Sequence, residues 1–157
     1  MTDRLLVAVF ASPVSDVLVR WAAELGFRTL LVEPGAGRVG VPADRRAQGF
    51  AEIADELADG TADVVVTDHH RDELGELLRD ALAHPARWIG VMGNPRHEGP
   101  HVAALTALGV PPEDIARVHR PIGLDIGSRQ PAEIAVSTLA GLLADRNGRS
   151  GGFAHGG

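Results

Sequence analysis

Four short apolar runs follow one another along the chain without the alternation of polar and apolar residues that a half-exposed strand shows. Continuous runs of this length are typical of strands buried on both faces of a parallel sheet. Segments with apolar residues at helical spacing separate the runs, which are Leu5–Phe10, Thr29–Glu33, Asp63–Thr67 and Trp88–Met92. The pattern therefore predicts an α/β fold with a doubly wound, mostly parallel sheet and helices on both faces.

Helix boundaries are marked by capping residues. Ser12 followed by Pro13 is typical of a helix start, and a final helix is predicted from Pro131 to Arg146. Glycines stand where three earlier helices should end, at Gly26, Gly60 and Gly109. Residues 1–146 are thus predicted to form a single Rossmann-like domain, and residues 147–157 a flexible glycine-rich tail.

Composition excludes several kinds of chemistry. The chain has no cysteine, which excludes disulfides, thiolate nucleophiles and cysteine-ligated metals. Every basic residue is arginine, so a Schiff-base lysine is excluded as well. A net charge of −6 argues against nucleic acid as a partner. The absence of a signal pattern and of a long apolar segment indicates a cytoplasmic protein that does not span a membrane.

Ligands of doubly wound sheets bind beyond the carboxyl ends of the strands. Residues 10–15, after the first predicted strand, read FASPVS and lack all three glycines of a dinucleotide-binding loop. Pro13 also removes a backbone N–H that would hold phosphate. Glu33 stands where a ribose-binding acid is expected. The sequence favours a Rossmann scaffold whose first loop is closed. The longer segment Pro34–Gly49 is interpreted as a solvated loop rather than a flap over the cleft.

The third and fourth predicted strands end in other polar residues. Asp68, His69 and His70 follow the third, and an extended backbone would point the two imidazoles in opposite directions, so a metal site is not expected. One histidine contacting a ligand is the alternative. Gly93, Asn94 and Arg96 follow the fourth and suit an anionic group, although a plain turn with a solvated arginine is equally compatible.

The stretch HRPIGLDIGSRQPAEIAVS, residues 119–137, combines a turn with the start of the final helix. Gly123 and Gly127 free the backbone to present N–H groups. Asp125 is able to accept hydrogen bonds from a heterocyclic ring, and Arg129 to pair with a phosphate. The alternative is that Asp125 and Arg129 only hold the loop to its neighbours. The apolar residues of the helix cover the sheet by default, with a homodimer surface as the alternative use: Ile134, Leu139, Leu142 and Leu143.

The residues from Val118 to Ala144 resemble the signature of the xanthine dehydrogenase accessory factor family (XdhC/CoxI type). The Rossmann-like domain of that family ends in a proline-isoleucine-glycine-leucine-aspartate-isoleucine-glycine turn that leads into a helix. Upstream similarity is weaker: VVVTDHH places His69 at the position of the family's histidine, and WIGVMGNPRH retains Gly93 and Arg96. The family's glycine-rich first turn is replaced here, and its longer members carry an additional N-terminal domain with a cysteine-bearing motif.

The resemblance implies an accessory protein that binds the molybdenum–pterin cofactor and assists maturation of xanthine dehydrogenase or carbon monoxide dehydrogenase-type molybdenum hydroxylases. The implied partners are the apo-enzyme and a separate cysteine-bearing accessory subunit. It implies no catalytic residue and no metal ligand. The candidate cofactor-binding residues are Ser12, Glu33, His69, Gly93, Asn94, Arg96, Pro121, Gly123, Asp125, Gly127 and Arg129.

Two other functions are compatible with the sequence. One is an NAD(P)-binding oxidoreductase, against which the missing glycines and the absence of any tyrosine proton donor argue. The other is a degenerate Rossmann scaffold that acts only through protein partners, which Ser12, Pro13 and Pro95 favour because they stand in turns that otherwise face a ligand.

Overall fold

A computed structural model of the chain describes residues 4–36, 40–93, 99–127 and 129–153. Its strands form one sheet with the order β3-β2-β1-β4-β5-β6, and every pair of neighbours is parallel. The direction of winding reverses between β1 and β4, which is where ligand clefts form in such sheets. The strands are β1 (Arg4–Val9), β2 (Phe27–Val32), β3 (Arg45–Ala47), β4 (Ala62–Val66), β5 (Trp88–Val91) and β6 (Val118–His119).

Helices cover both faces of this sheet. A 3₁₀ turn (Phe50–Ile53) leads directly into the second helix, and all helices connect successive parallel strands except the last. The helices are α1 (Pro13–Glu24), α2 (Ala54–Leu57), α3 (Leu74–Leu82), α4 (Pro100–Ala107), α5 (Pro112–Ile115) and α6 (Pro131–Arg146).

Successive residues of β1 point into two different cores. Leu6 and Ala8 pack with α1 and α6 on one face, together with Leu139. Leu5 and Val7 pack on the other face against the 3₁₀ turn, α2, α3 and α4. Burial on both faces explains why the strands near the centre of the sheet read as continuous apolar runs rather than alternating ones.

The predicted α/β fold and the four central strands are confirmed, and so are the bounds of α6. The Ser12 hydroxyl caps α1 by accepting the backbone N–H of Ser15, as the sequence predicts, and Pro13 occupies the first turn. The interpretation of Pro34–Gly49 as a loop was wrong in part, because it contains β3. That edge strand pairs only with β2 and carries Arg45 and Arg46 toward solvent, so it has no apolar run to reveal it.

The glycine-rich tail begins with an ordered turn. The backbone N–H of Arg149 donates to the carbonyl of Ala144 at 2.8 Å, and Gly148 adopts a φ of 66°. This arrangement closes the end of α6. Flexibility of the tail stays a prediction, and residues 154–157 lie outside the described part of the chain. Among the described helices, none is long and apolar enough to cross a membrane.

Candidate functional site

A cleft of about 780 Å³ opens at the carboxyl ends of β4 and β5. One wall is the segment after β4, the opposite wall is the turn after β6, and the N-terminal halves of α1 and α6 close its ends. Its volume lies within the range of ordinary small-molecule sites, about 300–1,000 Å³. The lining residues are 67–70, 92–93, 121–127, Val14, Arg129, Ile134, Ser137 and Thr138.

The wall after β6, hereafter the glycine turn (residues 121–127), is held from behind by α6. The backbone N–H of Leu124 donates to the carbonyl of Ser137 at 3.2 Å, and the Ser137 hydroxyl donates to the Leu124 carbonyl at 2.7 Å. Gly123 has a φ of 85°, and a Cβ there would lie 2.6 Å from the Ser137 Oγ. Only glycine therefore fits between the turn and the helix.

Asp125 and Arg129 do not hold this turn in place. Both side chains are exposed and border the cleft. Within residues 4–36, 40–93, 99–127 and 129–153, no hydrogen bond or ion pair ties either one to the rest of the chain. The alternative in which they pin the loop is thus wrong, since Leu124 and Ser137 do so. A carboxylate and a guanidinium remain available on one side of the cleft.

His69 and His70 form the opposite wall. Their ring centroids are 4.0 Å apart, so the expectation that the imidazoles point in opposite directions was wrong. The chain bends directly after β4 instead of continuing as an extended strand. Burial, followed by the charges of His70 and Arg120, lowers the pKa of His69 despite a hydrogen bond to the Met92 backbone. His69 therefore presents a neutral imidazole to the cleft at neutral pH. The described residues include no group of three potential metal ligands.

The loop after β1 is closed by the chain's own side chains. Arg71 forms a two-point ion pair with Glu33, with Nη1–Oε1 and Nη2–Oε2 distances of 2.8 and 2.9 Å. The Glu33 carboxylate also accepts the backbone N–H groups of Ala11 and Gly35 at 2.9 and 2.6 Å. Arg71 lies 4.4 Å above the centroid of the Phe10 ring, which is fully buried. The backbone amide of Ala11 is therefore occupied.

Phe10 itself stands in a conformation that favours glycine, with a φ of 76°. Burial alone would raise the pKa of Glu33, but the hydrogen bonds from Arg71, Gly35 and Ala11 outweigh it and lower the pKa from 4.5 to about 2. The first loop thus contains a carboxylate that is charged at neutral pH in place of a space for a ligand. The closed loop that the sequence favours is the one observed.

Most of the candidate binding residues come together around the cleft: His69, Gly93, Pro121, Gly123, Asp125, Gly127 and Arg129. Two do not line it. Glu33 is buried in its ion pair, and Ser12 caps α1 while its hydroxyl bonds to Thr67 Oγ1 at 3.2 Å. Asn94 and Arg96 lie outside the described residues.

Two features near the cleft were missed by the sequence interpretation. Arg120 lies directly before the glycine turn and packs against Gly93. A second cavity of about 260 Å³ lies behind the turn, beside the stacked rings of Trp88 and His119. For Arg120, the only local signal in the sequence was its position next to a recognisable turn. The Trp88–His119 stack left no local signal, because it joins residues of two different strands.

The sequence profile described as the XdhC Rossmann domain matches residues 6–142. The chain belongs to this family. It is 35% identical over 90 residues to the uncharacterized protein YqeB of Escherichia coli K12, which is 57% of this chain and 16% of YqeB. The crystal structure of a xanthine dehydrogenase from Bacillus halodurans is similar to 98% of this chain, with a TM-score of 0.73 and 25% identity. This chain covers 45% of the Bacillus halodurans protein, so it spans less than half the length of that protein and of YqeB.

Proposed function

We propose that this XdhC-type domain serves as an accessory protein for a molybdenum hydroxylase and binds the molybdenum–pterin cofactor in the cleft as cargo. Membership of the XdhC family and the likeness to a xanthine dehydrogenase from Bacillus halodurans support the accessory role. The observation that carries the choice of site is the difference between the cleft beside the glycine turn and the loop after β1. The cleft beside the glycine turn is unfilled and is bordered by the side chains of Asp125 and Arg129, whereas the first loop is filled by Glu33 and Arg71.

The residues present fit a flat, anionic heterocycle. Asp125 supplies an acceptor for the amino and ring N–H groups of a pterin, and Arg129 a cation for a phosphate. Gly127 has a φ of 70° and open space around the position of a Cβ, so the backbone at the tip of the turn is accessible to a ligand. Ile126, which is 53% exposed, offers an apolar surface on the same wall. When bound, the cofactor supplies the molybdenum chemistry to the client enzyme, and this chain binds, orients and releases it.

An open cleft suits transfer better than catalysis. The side chains of Asp125 and Arg129 are exposed and that of His69 is half-buried, so a cofactor bound to them would remain within reach of an apo-enzyme. In this proposal the apo-hydroxylase is the receiving partner, and a separate cysteine-bearing accessory subunit provides the thiol chemistry that this cysteine-free chain lacks.

A thermal-unfolding titration of the whole chain with isolated molybdenum cofactor tests the proposal. We expect stabilisation by about 2.7 kcal/mol at a hundredfold excess over the dissociation constant. Asp125→Asn and Arg129→Gln should each weaken this response without changing the stability of the free protein, because both side chains are exposed.

Asp55→Asn and Arg79→Gln are matched controls, since they remove the same charges from exposed positions on α2 and α3. These controls should retain the full response to the cofactor. The absence of any response in the native chain, or an equal response to NAD, would refute cofactor binding in the cleft. Retention of the response in the Asp125 and Arg129 variants would move the site elsewhere.

A further inference from the structure

A group of basic side chains lies beside the cleft, at the edge of the sheet where β4, β5 and β6 end. Its members come from three separate segments: His69 after β4, His101 in the first turn of α4, and Arg120 after β6. Because β4, β5 and β6 are parallel neighbours, the segments that follow them meet at one edge of the sheet. We call this group the basic cluster. Arg120 and His101 do not line the cleft described above, and His69 does, so the cluster extends from the wall of the cleft.

Two glycines bring the members of the basic cluster together. A Cβ on Gly93 would overlap the guanidinium of Arg120. A Cβ on Gly99 would overlap Nδ1 of His101 and lie 3.1 Å from the Arg120 Cδ. The imidazole of His101 and the side chain of Arg120 therefore share the same side of Gly99. Gly93 and His69 also border the cleft, so the cluster and the cleft share His69.

His101 has a polar atom that the protein does not satisfy. The residue is only 7% exposed, and its Nδ1 has no hydrogen-bond partner. A buried nitrogen without a hydrogen-bond partner is unfavourable, and a bound group that forms a hydrogen bond with it would remove this penalty. His101 also lies in the first turn of α4, where the helix carries a partial positive charge.

We propose that the basic cluster is an oxyanion site that binds a phosphate group through Arg120, His101 and His69. A tetrahedral oxyanion accepts hydrogen bonds from a guanidinium and from imidazole N–H groups at the same time. The ligand is either a free inorganic anion or the phosphate end of a larger molecule whose body lies in the cleft. The proposal goes beyond the accessory function and does not depend on which molecule the cleft binds.

Occupation of the site should be coupled to proton uptake. Burial and the charge of Arg120 lower the pKa of His101, and burial, His70 and Arg120 lower the pKa of His69. Asp68 and the hydrogen bond to the Met92 backbone oppose the shift of His69. An anion next to both imidazoles favours their protonated forms and raises both pKa values. By linkage, an anion that takes up protons on binding binds more tightly as the pH falls.

The test uses the full chain and two probes, sulfate and inorganic phosphate, with chloride to keep the ionic strength constant. Sulfate does not titrate near neutral pH, so its pH dependence reports the protein alone. Imidazole carbon–proton resonances followed by NMR should shift for His69 and His101 on titration. We expect sulfate to bind at least about threefold more tightly at pH 6 than at pH 8.

Arg120→Gln should lower the affinity for both anions about tenfold or more, since a charge-assisted hydrogen bond is lost. Arg117→Gln is the matched control, because it removes an exposed arginine three residues earlier and should leave affinity unchanged. The NMR shifts of the native chain decide the question even if Arg120→Gln fails to fold. AMP binding more tightly than inorganic phosphate would assign the site to the end of a larger ligand, and the reverse order to a free anion.

Absence of shifts at His69 and His101, or equal weakening by Arg120→Gln and Arg117→Gln, would overturn the proposal. These results are separable from the cofactor experiment. A chain that responds to molybdenum cofactor but not to sulfate or phosphate retains its proposed function and lacks the oxyanion site. A chain that shows the opposite behaviour has the site but not the function.

Discussion

The loop after β1 and the turn after β6 lie at the same edge of one sheet, and each leads toward a helix with proline in its first turn. They differ in whether the chain's own side chains fill the space beside them. In the first, the amide of Ala11 donates to Glu33, and Arg71 completes the closure. In the second, the polar side chains Asp125 and Arg129 face a cleft.

The difference shows that strand order places two possible ligand sites in such a fold, and that side chains decide which one is open. In this chain a carboxylate with its arginine fills the first. In the last, a helix holds the turn from behind through Ser137 and Leu124, and the cleft in front of it is unfilled.

The largest expected effect is on the stability of the closed loop after β1, when Arg71 is removed. Arg71→Ala leaves the Glu33 carboxylate buried and unpaired, and we expect it to lower the free energy of unfolding by about 4 kcal/mol. Denaturant unfolding measures the loss. Glu73→Ala is the control, because that partner of Arg71 is 36% exposed and should contribute less than about 1 kcal/mol. Equal losses of unfolding free energy in the two variants would contradict a stabilising ion pair between Arg71 and the buried Glu33.

Low pH should also destabilise the loop after β1, because protonation of Glu33 removes its charge from the ion pair with Arg71. The pKa of Glu33 is lowered to about 2 from 4.5, so its contribution is fully present above about pH 4.5 and disappears as the pH falls through about 2. The native chain should lose about 3 kcal/mol over that range from this residue. Urea unfolding between these pH values measures the loss. Glu33→Gln should lack this part of the pH dependence, and identical pH profiles for both proteins would refute the assignment.

Alanine substitutions in the glycine turn test the support of the cleft wall, and we expect them to reduce stability less than the changes in the first loop. Gly123→Ala places a Cβ at positive φ and against Ser137, so we expect a loss of about 2 kcal/mol and a weakened cofactor response. Gly127→Ala meets only the conformational cost of about 1 kcal/mol, because nothing lies within 4 Å. Thermal unfolding of both variants compares them. If Gly127→Ala were the more damaging, α6 would not be the support of the turn.

The fold was largely predictable from sequence because β1, β2, β4 and β5 are buried on both faces and leave uninterrupted apolar runs. The strands β3 and β6 were missed because they lie at the two edges of the sheet. They have three and two residues, and carry arginines and His119 where a central strand has valine. Edge position removes the requirement for burial on both faces, and with it the continuous apolar run.

The site was predictable in part for a different reason. The glycine turn is a contiguous stretch, so its residues were found together, and His69 and Gly93 came from the rule on strand ends. The pairing of Glu33 with Arg71 spans 38 residues and leaves no local pattern. The approach of His101 to Arg120 also depends on two glycines and on neighbouring strands, which only the folded chain brings together.

The residues from Pro121 to Leu124 border both the cleft and the smaller cavity behind it. Gly151 packs against Leu124 from the rear, and Gly141 of α6 against Gly123. The turn therefore separates the two cavities. Its conformation depends on the segments that contact it from the rear, so the C-terminal residue Gly151 contributes to the shape of the cleft in front.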